Sequence, residues 1–288
     1  MAKMKERQNL NLRKEAKLIP GYLVMILWLA LTVVLLGWIF AASFSTTKEI
    51  NMGKVLEFGS GLHPENYALA WSSYNVSVYF MNSLIYSMSS LVFIILISAP
   101  AAYVLSRFKF PGNKLIRTAF IFAMSVPAIM VILPVFGLTT QLRLNGSRWT
   151  LIILYTFMNI PFTTTFLLNF FGSLSHTYEE AAAIDGCSPM KTFWMVMLPL
   201  AQPGLVTVGI FLFLSVWNEY FMALIFATSD RLRSVGPGLY MMVDTMTRTG
   251  KLGGLFASVI IVFLPTFLLY VFLSEKIIAG VTGGGIKG

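Results

Sequence analysis

Few side chains in this sequence have the chemistry of a catalytic or metal site. The candidates are the two histidines, His63 and His176, the single cysteine, Cys187, and Glu219, the one carboxylate inside the long apolar segments. A zinc site or a nucleophile with its base needs several such groups close together. By the topology derived below, the histidines fall in loops on opposite faces, so they cannot share a zinc ion with Cys187. The sequence predicts a non-catalytic chain that binds no cofactor itself.

A phosphate-binding loop is also absent from the sequence. The pattern G-x-x-x-x-G-K-[ST] cradles phosphates with backbone amides. Here Gly250-Lys251 is followed by Leu252, and Gly112 is followed by Asn113. We therefore expect that this chain does not hydrolyse ATP by itself.

The elements that must carry these residues are membrane helices. The chain is 57% hydrophobic and 11% charged, which does not describe a soluble protein. A helix needs about 20 apolar residues to cross a bilayer. Six stretches are long enough: 22–43, 79–105, 115–138, 149–171, 205–227 and 255–273. The sequence predicts an all-α membrane protein with six transmembrane helices, in which a single domain, 22–276, follows an amino-terminal segment, 1–21, and precedes a carboxyl tail, 277–288.

The distribution of lysine and arginine predicts the orientation. Positive charge is disfavoured in loops that are moved across the membrane. The termini, the loop after the second span and Lys191 carry most of these residues. Eight lie on the other side: Lys48, Lys54, Arg143, Arg148, Arg231, Arg233, Arg248 and Lys251. Both termini are predicted to be cytoplasmic, and the net charge of +9 needs no nucleic acid partner. A cleaved signal peptide is the disfavoured alternative, because the first apolar run is too long.

The loop between the fourth and fifth spans, 174–199, carries signals for two helices. Thr177 with Glu180 matches a capping box, Gly186 suits a left-handed helix end, and Ser188 before Pro189 matches a second cap. We expect a helix, a sharp turn and a second helix. Small side chains would let a partner approach closely, and apolar ones would anchor it: Ala181, Ala182 and Ala183, then Met190, Phe193 and Trp194.

One string in this loop is specific. Glu180-Ala181-Ala182, three residues, Gly186, nine residues, Val196, Met197 and Leu198-Pro199 resemble the EAA loop of binding-protein-dependent ABC importer permeases. Val196 stands where isoleucine is usual, and Leu174-Ser175 replaces a common proline. The resemblance implies a type I importer permease fold in a bacterial or archaeal cell membrane. It also implies that the loop couples to an ATPase, with these residues in contact: Glu179, Glu180, Ala181, Ala182, Ala183, Asp185, Gly186, Met190 and Phe193.

Further strings resemble the carbohydrate branch of the family and its maltose-type second permease. They are 80–84, 102–108, 159–162, 217–220 and the tail 280–288. The resemblance implies a second, unlike permease, two cytoplasmic ATPase subunits that hold ATP and Mg²⁺, and an extracytoplasmic solute-binding protein.

A carboxylate within the membrane is costly unless it is paired or hydrated. Glu219 is therefore expected to face a cavity, a helix interface or a partner permease. We predict a translocation path that includes Asn159, Trp217, Asn218, Glu219 and Tyr220. A purely structural bond from Glu219 to a neighbour such as Asn218 or Asn159 is an equally weighted alternative.

A different class of function remains open. A self-contained secondary transporter or channel for a small polar solute would move its substrate without nucleotide. Such carriers usually place several ionisable groups in the bundle, and this sequence offers one carboxylate there. The sequence does not distinguish among sugars or other solutes.

Overall fold

The computed structural model describes residues 12–283, with side-chain environments over 18–275. Residues 1–11 of the predicted amino-terminal segment and residues 284–288 of the predicted tail lie outside the described residues. The α-helices, in chain order, are α1 (Leu12–Ser43), α2 (Thr47–Asn51), α3 (Glu65–Ala68), α4 (Val76–Arg107), α5 (Asn113–Met124), α6 (Ala128–Gln141), α7 (Arg148–Ser173), α8 (Thr177–Ile184), α9 (Pro189–Thr192), α10 (Leu198–Leu200), α11 (Gln202–Trp217), α12 (Phe221–Phe226), α13 (Val235–Thr249) and α14 (Leu252–Gly283). Two π-helical turns, Leu69–Ser73 and Phe193–Met197, and a 3₁₀ turn, Asp230–Leu232, complete the described elements.

Four helices are long and apolar enough to cross a membrane without a break. They lie within α1, α4, α7 and α14. Two bent helix pairs raise the number to six when each pair is counted as one span. The count of six agrees with the sequence prediction, but the second bent pair joins Pro189–Leu200 to Gln202–Trp217 at 72° and so begins before the predicted fifth span, 205–227. Helix α1 begins at Leu12, within the predicted amino-terminal segment 1–21, and α14 continues to Gly283, within the predicted tail 277–288.

The third and fifth predicted spans are not single helices. In the third, α5 and α6 meet at 98° across a break before Pro127, which has an extended backbone. A proline has no amide hydrogen to continue a helix and restricts the residue before it, so a break at Pro127 is favoured. In the fifth, the prediction of one helix over 205–227 is wrong. Helix α11 ends at Trp217, and α12 begins only at Phe221.

Helices α4 and α7 form the centre of the bundle. Small polar side chains line their buried surfaces: Ser83, Ser87, Ser90 and Ser98 on α4, and Thr156, Thr163 and Thr164 on α7. The Ser90 hydroxyl donates to the carbonyl of Ile152. In a bilayer no hydrophobic force drives helices together, so their association depends on close packing. Small side chains allow that close approach. By contrast, the apolar window of α1 is exposed on all sides, as expected for a helix that faces lipid or another subunit.

The two ends of α4 lie at opposite sides of the bundle. Near its start, Asn82 donates to the carbonyls of Arg231 and Arg233, and Tyr86 donates to that of Leu232. These bonds hold the segment before α13, an amphipathic helix that the sequence analysis did not predict. The same side carries α2, where Thr46 and Glu49 form the described capping box. The far end of α4 contacts the loop 174–199.

Candidate coupling loop and membrane cavity

The loop 174–199 folds as a helix, a sharp turn and a second helix, as predicted. Helix α8 ends at Asp185, and Gly186 takes a left-handed φ of +75°. The hydroxyl of Ser188 then accepts from the amide of Lys191, with Pro189 as the first helical residue. The helical path continues through a π-helical turn to Leu200, one residue beyond the predicted end at Pro199.

The predicted capping box at Thr177 and Glu180 is wrong. The N-cap is His176, which makes no side-chain capping bond, and Thr177 is already helical. The Thr177 hydroxyl lies 2.9 Å from that of Ser175, and the Ser175 hydroxyl accepts from the Thr177 amide. Ser175 competes for the role that the spacing assigned to Thr177, because hydroxyls bond readily to nearby backbone.

Two of the predicted contact residues are buried within the protein itself. Phe193 is 2% exposed and packs on Tyr103 of α4 and Phe171 of α7, with ring centroids 5.1 and 6.3 Å apart. The expectation that Phe193 offers an exposed anchor to a partner is therefore wrong. Ala182 is also buried, on the side of α8 that packs within the loop. Phe193 fixes the loop to the bundle.

The remaining face of the loop is open. Tyr178, Ala181 and Ile184 recur every three residues on α8 and share one exposed side of that helix. Ile184 is 86% exposed, and the exposed Glu180 lies one turn before it on α8. Ile184 was not among the predicted contact residues; its signal in the sequence was an isolated apolar residue at the end of a polar helix. The other exposed predicted residues are Glu180, Ala183, Asp185, Gly186 and Met190.

Glu179 points away from this face. Its carboxylate oxygens lie 3.1 Å from the Arg107 Nε and 3.1 Å from the His176 Nδ1. From the sequence, Arg107 was one of the positive charges of the loop after the second span and part of the string 102–108. The structure places it against the loop, with its side chain 4% exposed.

A cavity of about 560 Å³ lies between the bend of α5 and α6 and the helices α7, α11 and α12. Its lining is mainly apolar, with Met124, Ile129 and Phe162 at the wall. Polar atoms come from Asn159, Glu219 and Ser215. A large apolar space with a few convergent polar groups is the usual form of a small-molecule site.

Glu219 occupies the break between α11 and α12. Its Oε2 accepts from the hydroxyl of Tyr155 at 2.8 Å and from the amide of Ala223 at 3.0 Å. Its Oε1 accepts from the amide of Met222 at 2.7 Å. The carboxylate thus satisfies amides that would otherwise be unpaired at the start of α12. The side chain that bonds to Glu219 is that of Tyr155, which was not predicted from the sequence, and not that of Asn218 or Asn159.

Of the five residues predicted to line a path, two line this cavity: Asn159 and Glu219. Trp217 is 1% exposed and lies on the other side of α11, between Phe213 and Phe80, with its indole donating to the carbonyl of Val262. Trp217 does not line this cavity. Asn218 is exposed and donates to its own helix at Leu214, and Tyr220 packs on Tyr240 of α13.

No group of three His, Cys, Asp or Glu side chains within the described residues could hold a metal ion. The carboxylate of Glu219 accepts from amides at the start of α12, and that of Glu179 lies against Arg107 and His176. The arrangement defines a multi-span membrane protein that has a cavity between broken helices and a rigid, exposed loop on one side.

The sequence of this chain matches a known protein family. Residues 94–280 match the family described as "Binding-protein-dependent transport system inner membrane component". The chain belongs to this family of ABC importer permeases of the inner membrane, as the resemblance implied. It is 34% identical to the diacetylchitobiose uptake system permease protein NgcG of Streptomyces coelicolor, over 93% of this chain and 88% of that protein. It is 30% identical to the sulfoquinovosyl glycerol transport system permease protein SmoH of Agrobacterium fabrum, over 87% of each chain.

The fold has a solved counterpart. The chain superimposes with a TM-score of 0.77 on a chain from a crystal structure of a bacterial ABC transporter involved in the import of the acidic polysaccharide alginate. The match covers 92% of this chain and 97% of the other at 22% sequence identity. This similarity establishes the type I importer permease fold.

Proposed function

We propose that this chain is the membrane permease subunit of an ATP-driven importer for a carbohydrate or oligosaccharide. The exposed face of α8 is the observation that carries the coupling part of the proposal. A short, well-ended helix that presents Tyr178, Ala181 and Ile184 to solvent has the form of a docking element. We assign its partner as a cytoplasmic ATPase subunit, which places both termini and the loop 174–199 in the cytoplasm.

The energy source lies on other subunits. Two ATPase subunits hold ATP and Mg²⁺, and this chain binds neither. ATP-driven closure of the ATPase pair moves the loop, and the loop moves α7 and α11, to which it is covalently joined. Alternating access follows if the bend at α5 and α6 and the break at Glu219 change their angles. Broken helices at a cavity are typical of transporters for this reason.

The cavity supports a polar organic substrate of sugar size. Its volume of about 560 Å³ lies within the usual range of small-molecule sites. Aromatic faces from Phe157 and Phe162 stand beside the amide of Asn159, a combination that suits the apolar faces and hydroxyl edges of a sugar ring. Two relatives at 30% identity or more are named for diacetylchitobiose and sulfoquinovosyl glycerol uptake, which supports the carbohydrate class.

The cavity is open at a rim of exposed apolar side chains, Ile129, Phe157 and Phe221. Large exposed apolar patches mark interaction surfaces. We assign this rim to a second, unlike permease, so that the path runs between two subunits. A solute-binding protein delivers substrate to the opposite side, where α2, α3 and α13 lie.

Affinity purification of the chain in mild detergent tests these assignments together. We expect an ATPase, a second permease and a binding protein to co-purify, and the ligand on the binding protein to be a carbohydrate. Proteoliposomes that contain the complex should take up that carbohydrate only with ATP inside. Uptake by the chain alone, without nucleotide, would contradict the proposal and favour a secondary carrier.

A further inference from the structure

Arg107 connects the end of α4 to three points of the loop 174–199. Its Nη2 donates to the carbonyl of Leu174 at 2.8 Å, and its Nη1 lies 3.2 Å from the His176 Nε2. Its Nε lies 3.1 Å from Oε1 of Glu179. We call these four residues the arginine joint. They come from three parts of the chain: the end of α4, the link after α7, and α8.

The ion pair between Arg107 and Glu179 is shielded from water, whereas the side chain of His176 at the edge of the joint is 67% exposed. The side chain of Arg107 is 4% exposed, and that of Glu179 is 18% exposed. A buried charge is costly when its partner is removed, because the remaining charge cannot recover its hydration. Removing one partner of this pair should therefore cost more than removing one partner of an exposed ion pair. His176 completes the ring, since its Nδ1 faces Oε2 of Glu179 while its Nε2 faces Arg107.

A second contact holds the other arm of the loop to the same helix. One turn before Arg107, the ring of Tyr103 packs on Phe193 at 5.1 Å and on Phe171 at 5.6 Å between centroids. Phe193 opens the π-helical turn after α9. The first arm of the loop is thus tied to α4 by charge and hydrogen bonds, and the second arm by aromatic packing.

This arrangement adds a route that the chain path does not contain. Along the chain, the loop connects α7 to α11. Helix α4 precedes both and is joined to the loop by side chains. Because α4 also holds the segment 231–235 at the opposite side of the membrane, a movement of α4 reaches that side directly.

We infer that Arg107 is a positioning residue for coupling. It makes α4 follow the coupling loop as a rigid unit, so that force from the ATPase reaches the opposite side through α4 as well as through α7 and α11. This inference rests on the proposed function, in which the loop receives the ATPase. It assigns no substrate contact or chemistry to Arg107.

The test uses the complete complex in proteoliposomes and measures solute transported per ATP hydrolysed. In Arg107→Met, and in Glu179→Gln, we expect this ratio to fall about fivefold or more, within the range by which side chains modulate coupling between distant sites. Arg107→Lys keeps the charge and should retain part of the ratio. Arg117→Met is the matched control, because Arg117 is an exposed cation at the same end of the bundle; its ratio should stay within about twofold of wild type.

A double-variant comparison separates positioning from folding. If the two residues act through one contact, Arg107→Met combined with Glu179→Gln should lower the ratio no further than the worse single variant. Assembly and thermal unfolding of each complex are measured in parallel. An unchanged ratio in the assembled single variants, or a loss of assembly in Arg107→Lys and Glu179→Gln with a normal ratio in the remaining complex, would overturn the inference.

Failure of the inference can be told from failure of the proposed function. Cross-linking of Ile184→Cys to an ATPase subunit, with Cys187 replaced by serine, reports whether the loop receives the ATPase. If the cross-link forms and the Arg107 variants couple normally, only the arginine joint is wrong. If the cross-link is absent in every nucleotide state, the proposed function is wrong.

Discussion

The hydroxyl of Tyr155 lies 2.8 Å from Oε2 of Glu219 and joins α7, about two turns after its start, to the break between α11 and α12. The same carboxylate accepts from two amides at the start of α12. The fifth span therefore depends on a side chain of the fourth for the geometry of its break. The carboxylate of Glu219 thus lines the cavity and also holds the start of α12, which forms part of the cavity wall.

Removing this carboxylate should destabilise the protein as well as alter transport. Glu219→Ala leaves a hydroxyl and two amides without their acceptor, and each unmade bond of this kind costs about 1–3 kcal/mol. Tyr155→Phe removes one donor and should cost about 1 kcal/mol. Unfolding in detergent, followed by tryptophan fluorescence, measures both effects. Equal stability of Glu219→Ala and wild type would show that the carboxylate has no structural role at the break.

The transport effect of Glu219 is tested with a gentler substitution. Glu219→Gln keeps one carbonyl acceptor but cannot serve all three donors, so the angle between α11 and α12 should change. We expect a lower uptake rate by the assembled complex, while binding of solute to the separate binding protein is unaffected. Normal affinity and rate for every tested solute would remove Glu219 from the path.

Gly186 should tolerate a residue that accepts its backbone conformation. The position has a φ of +75°, and no atom lies within 4 Å of an added Cβ. The cost of substitution is therefore backbone strain, about 1–2 kcal/mol for an ordinary L-residue, and less for asparagine. Gly186→Val should uncouple ATP hydrolysis from uptake, whereas Gly186→Asn should remain coupled. If both variants behave alike, the turn geometry is not what the loop requires.

Two glycines of α11 offer a matched pair for packing. A Cβ at Gly204 would lie 2.6 Å from ring carbons of Phe170, while one at Gly209 would lie 3.8 Å from its nearest neighbour, Leu91 Cδ1. Gly204→Ala should lower the free energy of unfolding by about 1–3 kcal/mol through overpacking. Gly209→Ala should be neutral or up to about 1 kcal/mol more stable, because alanine favours helix. Thermal unfolding in one detergent compares the pair, and a loss confined to Gly209→Ala would contradict the packing.

Glu49 of α2, on the side of the bundle opposite the loop 174–199, should make the stability of the protein sensitive to acid. Its carboxylate accepts backbone and side-chain hydrogen bonds from Thr46 and Ser60, which lower its pKa from 4.5 to about 2. Because the pKa of this carboxyl is lower in the folded state than in the unfolded state, its ionised form stabilises the fold at pH values above 4.5. This stabilisation is lost as the pH falls from 4.5 towards 2. The difference in thermal stability between wild type and Glu49→Gln should be present at pH 7 and should shrink across that window. A difference that is constant down to pH 2 would contradict the assignment.

The sequence contained the spans and the loop, but not the directions of their side chains. Apolar length identifies a membrane helix because the bilayer demands it, so α4 and α7 were predicted closely. The break at Glu219 escaped because hydropathy continues through 205–227 while the helix stops. Pro127 marked the other bend, but a proline alone does not distinguish a kink from a 98° turn.

The loop shows the same limit at the level of single residues. Spacing within the chain predicted Gly186 and Ser188 correctly, since their roles depend on adjacent backbone. The burial of Phe193 and the pairing of Glu179 with Arg107 depend on α4, which is distant in sequence. Helical periodicity alone could not show which side of α8 faces that helix. Exposed Ile184 emerged only once that side was known.

The coupling role of the loop is tested most directly by cross-linking in the assembled complex. Ile184→Cys, in a background with Cys187→Ser, should form a cross-link to an ATPase subunit, and its yield should change with nucleotide. Leu62→Cys is the matched control, because Leu62 is 64% exposed and lies on the opposite side; it should give no such product. A cross-link at Leu62, or none at Ile184 with or without nucleotide, would contradict the account.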